Sequence, residues 1–177
     1  MAQAKATLAN GCFWCTEAVF QQLKGVFQII SGFTGGKIKN PPYREVVMGR
    51  TGHAEAIQVD FDDDVISYKT ILEVFFSTHD PTTLNRQGYD VGTQYRSAIF
   101  YHSEKQKNIA EELILDLNNK VFIDQPIVTE VTKATDFYIA DEDHQNFYIN
   151  NSEFRYCQLI IDPKLNHIKE NYAHLLK

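Results

Sequence analysis

Apolar and polar positions alternate cleanly over residues 54–61, with Ile57, Val59 and Phe61 on one side and Gln58 and Asp60 on the other. This period of two marks a half-buried strand. Residues 5–9 read as a short strand broken by Asn10-Gly11, and residues 12–24 then carry Cys15, Val19 and Leu23 at helical spacing. Residues 26–31 give a second strand ahead of the alternating one. Ser67 is a helix cap for an apolar face of Ile71, Leu72, Phe75 and Phe76. That helix should end near His79-Asp80-Pro81, because the residue before a proline disfavours helical backbone. Residues 97–101 form a further strand, Ser103 with Gln106 matches a capping box opening a helix to about Asn118, and residues 127–131 form a last strand.

This order, with a strand pair after the first helix, predicts an α+β fold: a two-layer sandwich with a ferredoxin-like βαββαβ core and long loops. No repeat or linker interrupts it, so residues 1–177 are expected to form a single domain. Residues 81–96 are almost free of apolar side chains and hold candidate turn positions at Asn85, Gly88, Asp90 and Gly92. Long ordered loops in compact domains tend to be functional.

Composition narrows the class. The chain has 177 residues, 44% of them hydrophobic, which is enough for one sizeable core, and its formal net charge is -6. An acidic chain without a basic patch excludes nucleic acid and anionic membranes as expected partners. The N-terminal residues lack a charged segment followed by an apolar stretch, and no run is long enough to span a bilayer, so a cytoplasmic monomer is expected. Three cysteines do not make a disulfide framework, which leaves reactive or buried thiols.

Cys12 is the first candidate for chemistry. It follows Gly11 at a strand-to-helix junction, where free amides and the helix dipole should favour its thiolate near neutral pH. Phe13 and Trp14 cannot both point inwards from consecutive helical positions, so an apolar pocket beside the thiol is expected. Cys15 lies one turn on, at a Cα separation of roughly 5–6 Å that permits a disulfide. It also shares a stripe with Val19 and Leu23 and reads equally well as a core residue. Glu55 has the strand parity of Ile57, Val59 and Phe61, so it should lose solvation and hold its proton. Tyr43, Asp90 and Tyr95 lie in stretches punctuated by Gly or Pro, where their polar groups could converge on a bound oxygen. Cys12-Phe13-Trp14-Cys15 has zinc-ligand spacing, but a second ligand pair is missing and no metal is expected.

Taken together, Gly11-Cys12-Phe13-Trp14, Gly52-His53-Ala54-Glu55, residues 79–97, Ser31-Gly32-Phe33-Thr34-Gly35-Gly36 and His144-Gln145 resemble the type A peptide methionine sulfoxide reductases, from about Gly11 to Pro163-Lys164. The resemblance implies reduction of methionine-S-sulfoxide, protein-bound or free, with no bound cofactor and with electrons from thioredoxin, or from dithiothreitol in vitro. It implies that Cys12 attacks the sulfoxide sulfur, Glu55 supplies a proton to the oxygen, Tyr43 and Tyr95 bind that oxygen, and Asp90 supports the site. Phe13 and Trp14 match the family's pocket for the substrate methyl group. The Cys12 sulfenic acid would condense with Cys15 or Cys157 to a disulfide. Cys15 stands where the family often has glycine, Phe33 replaces a common tyrosine, and Ile139 and Asp143 replace a proline and a tyrosine near His144. The residue pattern by itself also admits a thioredoxin-type dithiol oxidoreductase, which the bulky Phe13-Trp14 pair disfavours, and a noncatalytic zinc- or peptide-binding module.

Overall fold

The computed structural model describes residues 3–177. Along the chain run β1 (Gln3–Asn10), α1 (Phe13–Phe20), β2 (Val26–Thr34), α2 (Tyr43–Val47), β3 (Ala54–Asp62) and α3 (Tyr68–Ser77). A short hairpin follows, β4 (Arg86–Gln87) and β5 (Asp90–Val91), and then β6 (Ser97–Tyr101), α4 (Glu104–Lys120), β7 (Glu130–Lys133) and β8 (Phe137–Ile139). The chain closes with α5 (Phe147–Asn150), a π-helical turn at Cys157–Ile161 and α6 (Asp162–Asn171). Both expected caps form: the Ser67 hydroxyl accepts from Thr70 N–H at 3.1 Å and the Ser103 hydroxyl from Gln106 N–H at 3.2 Å.

The six-stranded sheet has the order β7-β6-β1-β3-β2-β8. Every pairing is antiparallel except β6 with β7, so the sheet is mixed. Side-chain parity divides its two faces. Ala6, Leu8, Ile57, Val59, Phe61 and Ile99 pack with α1, α3, α4 and α6 in the main core, whereas Ala9, Ala54, Ala56, Ala98 and Phe100 form a small cluster on the other side. Register places Leu8 opposite Ile57 and Phe33 opposite Glu55. Glu55 therefore enters the helix-covered face.

Several bounds differ from the sequence expectation. The first helix ends at Phe20, and Leu23 is buried by a bridge to Leu176 rather than by a further helical turn. The last expected strand begins at Glu130, because the Ile127 amide is taken by the Asn118 side chain at 2.8 Å. Asn85, Gly88 and Gly92 adopt positive φ, which folds the polar segment back as the β4–β5 hairpin, while Asp90 lies in its second strand. Among the described residues, no helix is long and apolar enough to cross a membrane.

Candidate active site

At the end of β1, Gly11 takes φ +109°, a turn that L side chains rarely make, and Cys12 becomes the N-cap of α1. A Cβ on Gly11 would come within 2.9 Å of Gln87, so the same glycine lets the hairpin segment approach the thiol. The first amide of α1, Phe13 N–H, donates to Glu55 Oε1 at 3.2 Å. The other carboxyl oxygen, Oε2, is buried without a partner. Burial pushes the Glu55 pKa up to about 8; the Asp90 and Cys15 charges add to the rise and the Phe13 amide opposes it. This carboxyl keeps its proton at neutral pH.

The two N-terminal cysteines titrate as a pair, each thiol shifting the other. Here the structure corrects the expectation of an acidic Cys12. Its thiol is raised well above the ordinary value, by burial first, then by the Cys15 contact and the Cys15 and Glu55 charges. The helix amides do act, since Trp14 N–H pulls the value down, but Cys12 is only 9% exposed and desolvation wins. The Cys12 contact instead lowers Cys15 to about 7, against burial and with help from Lys164 and Tyr156. The pair thus releases one proton near neutrality and holds the second tightly.

Tyr156 and Asp90 meet this pair directly, and Tyr43 and Tyr95 lie close enough to feel its charge. Burial pushes Tyr43 up to about 12 and raises Tyr95 further, and both feel the charges of Glu55, Asp90 and Cys12. Tyr156 approaches the Cys15 sulfur at 3.4 Å and donates to Asp90 Oδ2 at 3.2 Å. All three phenols are O–H donors at neutral pH. Asp90 is itself raised by burial, with Tyr156 and Lys164 opposing. A cavity of about 740 Å³ opens onto Cys12, Cys15, Asp90 and Tyr156, and its apolar walls include Leu159, Ile160 and Pro163.

Phe13 and Trp14 diverge. Phe13 is fully buried between Phe33, Tyr43 and His144, with centroids at 5.6, 6.5 and 5.4 Å. Trp14 is half-buried, stacks on Phe147 at 3.7 Å and meets Tyr156 edge-on at 5.9 Å, and its indole N–H donates to His144 Nδ1 at 3.1 Å. Both belong to an aromatic cluster around Tyr43 and His144; neither lines the large cavity. Cys157, at the start of the π-helical turn, is wholly buried in the main core, and its thiol is raised by burial and by the Cys15 charge. Among the described residues, no group of three or more His, Cys, Asp or Glu side chains could hold a metal ion.

The model of the peptide methionine sulfoxide reductase family matches residues 4–176. The chain belongs to this family. It is 51% identical over 173 residues to the peptide methionine sulfoxide reductase MsrA of Chromobacterium violaceum, with 98% of each chain covered. It is 50% identical over 176 residues to the MsrA of Deinococcus radiodurans, covering 99% of this chain and 85% of that one. The crystal structure of Mxr1 from Saccharomyces cerevisiae in reduced form superposes with a TM-score of 0.82 at 32% identity, covering 88% of this chain and 90% of the other.

Sequence reasoning missed Tyr156 and Lys164 as members of this reductase site. Tyr156 comes to Cys15 from 141 residues away, and no local pattern marks it beyond its place beside Cys157. Lys164 stands just inside α6 and stabilises negative charge on both Cys15 and Asp90. His144 is held as a neutral acceptor for Trp14, its pKa lowered by burial, with Asp141 and Asp143 opposing.

Proposed function

We propose that this chain reduces methionine-S-sulfoxide, protein-bound or free, by attack of Cys12 on the sulfoxide sulfur while Glu55 protonates the oxygen. The observation that carries this reading is the Glu55 carboxyl, dry, protonated near neutrality and bound to the first amide of the helix that Cys12 caps. A sulfoxide resists nucleophiles at sulfur until its oxygen is neutralised, and a carboxylic acid with pKa near the working pH is the group for that task. The Tyr43 and Tyr95 hydroxyls donate hydrogen bonds to the same oxygen, and Asp90 with Tyr156 keeps the site ordered. The half-buried Trp14 ring, edge-on to Tyr156 at the cavity, walls the methyl side of the substrate, and the buried Phe13 ring backs it in the aromatic cluster.

The electron count closes. The thiol and the sulfoxide give methionine and a Cys12 sulfenic acid; the second thiol displaces its hydroxyl as water and forms a disulfide; an external dithiol, thioredoxin or dithiothreitol, takes up that disulfide. We assign the resolving role to Cys15, because it lies one helical turn from Cys12, opens onto the same cavity and is acidic enough to attack. No bound cofactor or metal enters any step. The reading extends to one domain over residues 1–177, acting as a monomer in a reducing cytoplasm that keeps the three free thiols reduced. The antiparallel order β6-β1-β3-β2, with α1 and α3 as the crossing helices, supports a ferredoxin-like βαββαβ core.

Mass spectrometry after one turnover with methionine-S-sulfoxide tests this reading. The expected result is one methionine formed per chain and a Cys12–Cys15 disulfide. A Cys12–Cys157 disulfide moves the resolving role, and an unmodified Cys12 with no methionine refutes the reading.

A further inference from the structure

A second buried carboxyl lies on α1, outside the chemistry just described. Glu17 is 1% exposed and sits one turn beyond Phe13 and Trp14, four residues from the one and three from the other. Its Oε1 accepts from Phe147 N–H at 3.3 Å, and the Asn146 amide also turns towards it. Those amides face one acceptor because Asn146 takes a left-handed φ of +54°, a conformation that aims successive N–H groups at an anion. The Ser31 hydroxyl, fully buried on β2, completes the surroundings.

What Glu17 grips is a strap over α1, residues 141–147. Gln145 pins the strap to β2: its Oε1 accepts from Ser31 N–H at 2.9 Å and its Nε2 donates to Ser31 O at 2.8 Å. One residue before Gln145 comes His144, which accepts from the Trp14 indole; two residues after comes Phe147, which lies flat on the indole with 7° between planes. Both faces of the Trp14 environment therefore depend on a segment that Glu17 grips from within α1 and that Gln21, at the end of that helix, holds at the surface by donating from Nε2 to Asn146 Oδ1 at 2.7 Å.

We propose that Glu17 is a positioning residue: by holding the Asn146 and Phe147 amides it locks the strap onto α1, which fixes the Trp14 indole between His144 and Phe147. The inference rests on the proposed reading of Trp14 as a substrate wall. Removing the acceptor leaves the Phe147 amide buried and unpaired, so the strap lifts and the indole gains freedom. Substrate affinity then falls more than the chemical step, since neither Cys12 nor Glu55 is bonded to the strap.

Trp14 is the only tryptophan, so its emission reports on the strap directly. Glu17→Leu keeps the volume and removes the acceptor, whereas Glu17→Gln keeps an acceptor for Phe147 N–H and can donate to Ser31. Glu17→Leu is expected to shift Trp14 emission to the red and to raise KM for a methionine sulfoxide peptide about tenfold, with the single-turnover rate at saturation within about threefold. Glu17→Gln restores wild-type emission and KM. Unmoved emission and KM in Glu17→Leu, or equal damage from Glu17→Gln, overturns the proposal. In the wild-type protein the Phe147 amide should exchange as slowly as core amides; exchange at the rate of exposed loops overturns the proposal even if the leucine variant does not fold. Emission and exchange need no turnover, so they judge Glu17 separately from the reductase reading.

Discussion

Two polar regions of the molecule, one part-buried around His79 and one buried around Cys12, are organised in opposite ways. Around His79 every polar atom is matched: Nδ1 contacts Phe75 O at 2.6 Å, Nε2 contacts Ser97 Oγ at 2.8 Å, and that hydroxyl continues to Thr129 Oγ1 at 2.8 Å. Around Cys12 the matching is incomplete, with Glu55 Oε2 unpartnered and two thiols sharing one proton. A satisfied network holds elements together and gains nothing from a ligand. An unsatisfied one leaves a donor in wait for an acceptor, here the sulfoxide oxygen.

The largest effect expected on this contrast is from Cys12→Ser, which should lower methionine formation by at least about a thousandfold because serine is a far weaker nucleophile. Stopped turnover with unchanged circular dichroism checks it. Next comes Glu55→Gln, which should slow single-turnover sulfenic acid formation by about 10²–10⁴-fold, the usual worth of a general acid. The amide can still accept from Phe13 N–H, so folding is preserved. A rate within a few-fold of wild type removes Glu55 from the acid role.

The pH dependence sharpens the comparison further. Rates should rise as pH passes about 7, where Cys15 ionises and becomes able to take the proton from the attacking Cys12, and fall as pH passes about 8, where Glu55 ionises. Glu55→Gln should abolish the falling limb alone. Stability follows the same groups. The folded Glu55 value lies above the ordinary 4.5, so its contribution is intact in acid and is lost as pH rises through about 8; Glu55→Gln should lose less stability over that window. His79 has the opposite sign: burial lowers it from 6.5 to about 3, so its contribution holds above 6.5 and is lost as pH falls towards 3.

The smallest catalytic effect belongs to the satisfied region. His79→Gln should cost about 1–3 kcal/mol at pH 7 through broken part-buried hydrogen bonds, read by denaturant unfolding, and leave the single-turnover rate within about twofold. A large rate loss would erase the distinction between the two regions.

What could be read in the sequence was whatever rested on local period or junction. The parity of Glu55 with Ile57, Val59 and Phe61 was enough to put it on the helix-covered face, and Gly11 before Cys12 was enough to mark a strand-to-helix turn. The acidity of Cys12 was not legible, because its sign depends on desolvation by a C-terminal segment folded over α1. The two-residue strands β4 and β5 are too short to carry a period, and β8, α5 and α6 lack the clear apolar repeat of β3. Tyr156 and Glu17 both act through amides or sulfurs more than 100 residues distant, which no window along the chain can register.

The protonation state of Glu55 is the centre of the account, and a ¹³C NMR titration of its side-chain carboxyl in the reduced protein measures it directly. The account predicts a midpoint near 8. A midpoint at the ordinary carboxyl value of about 4 would contradict it, since an ionised Glu55 could give no proton to a sulfoxide at neutral pH.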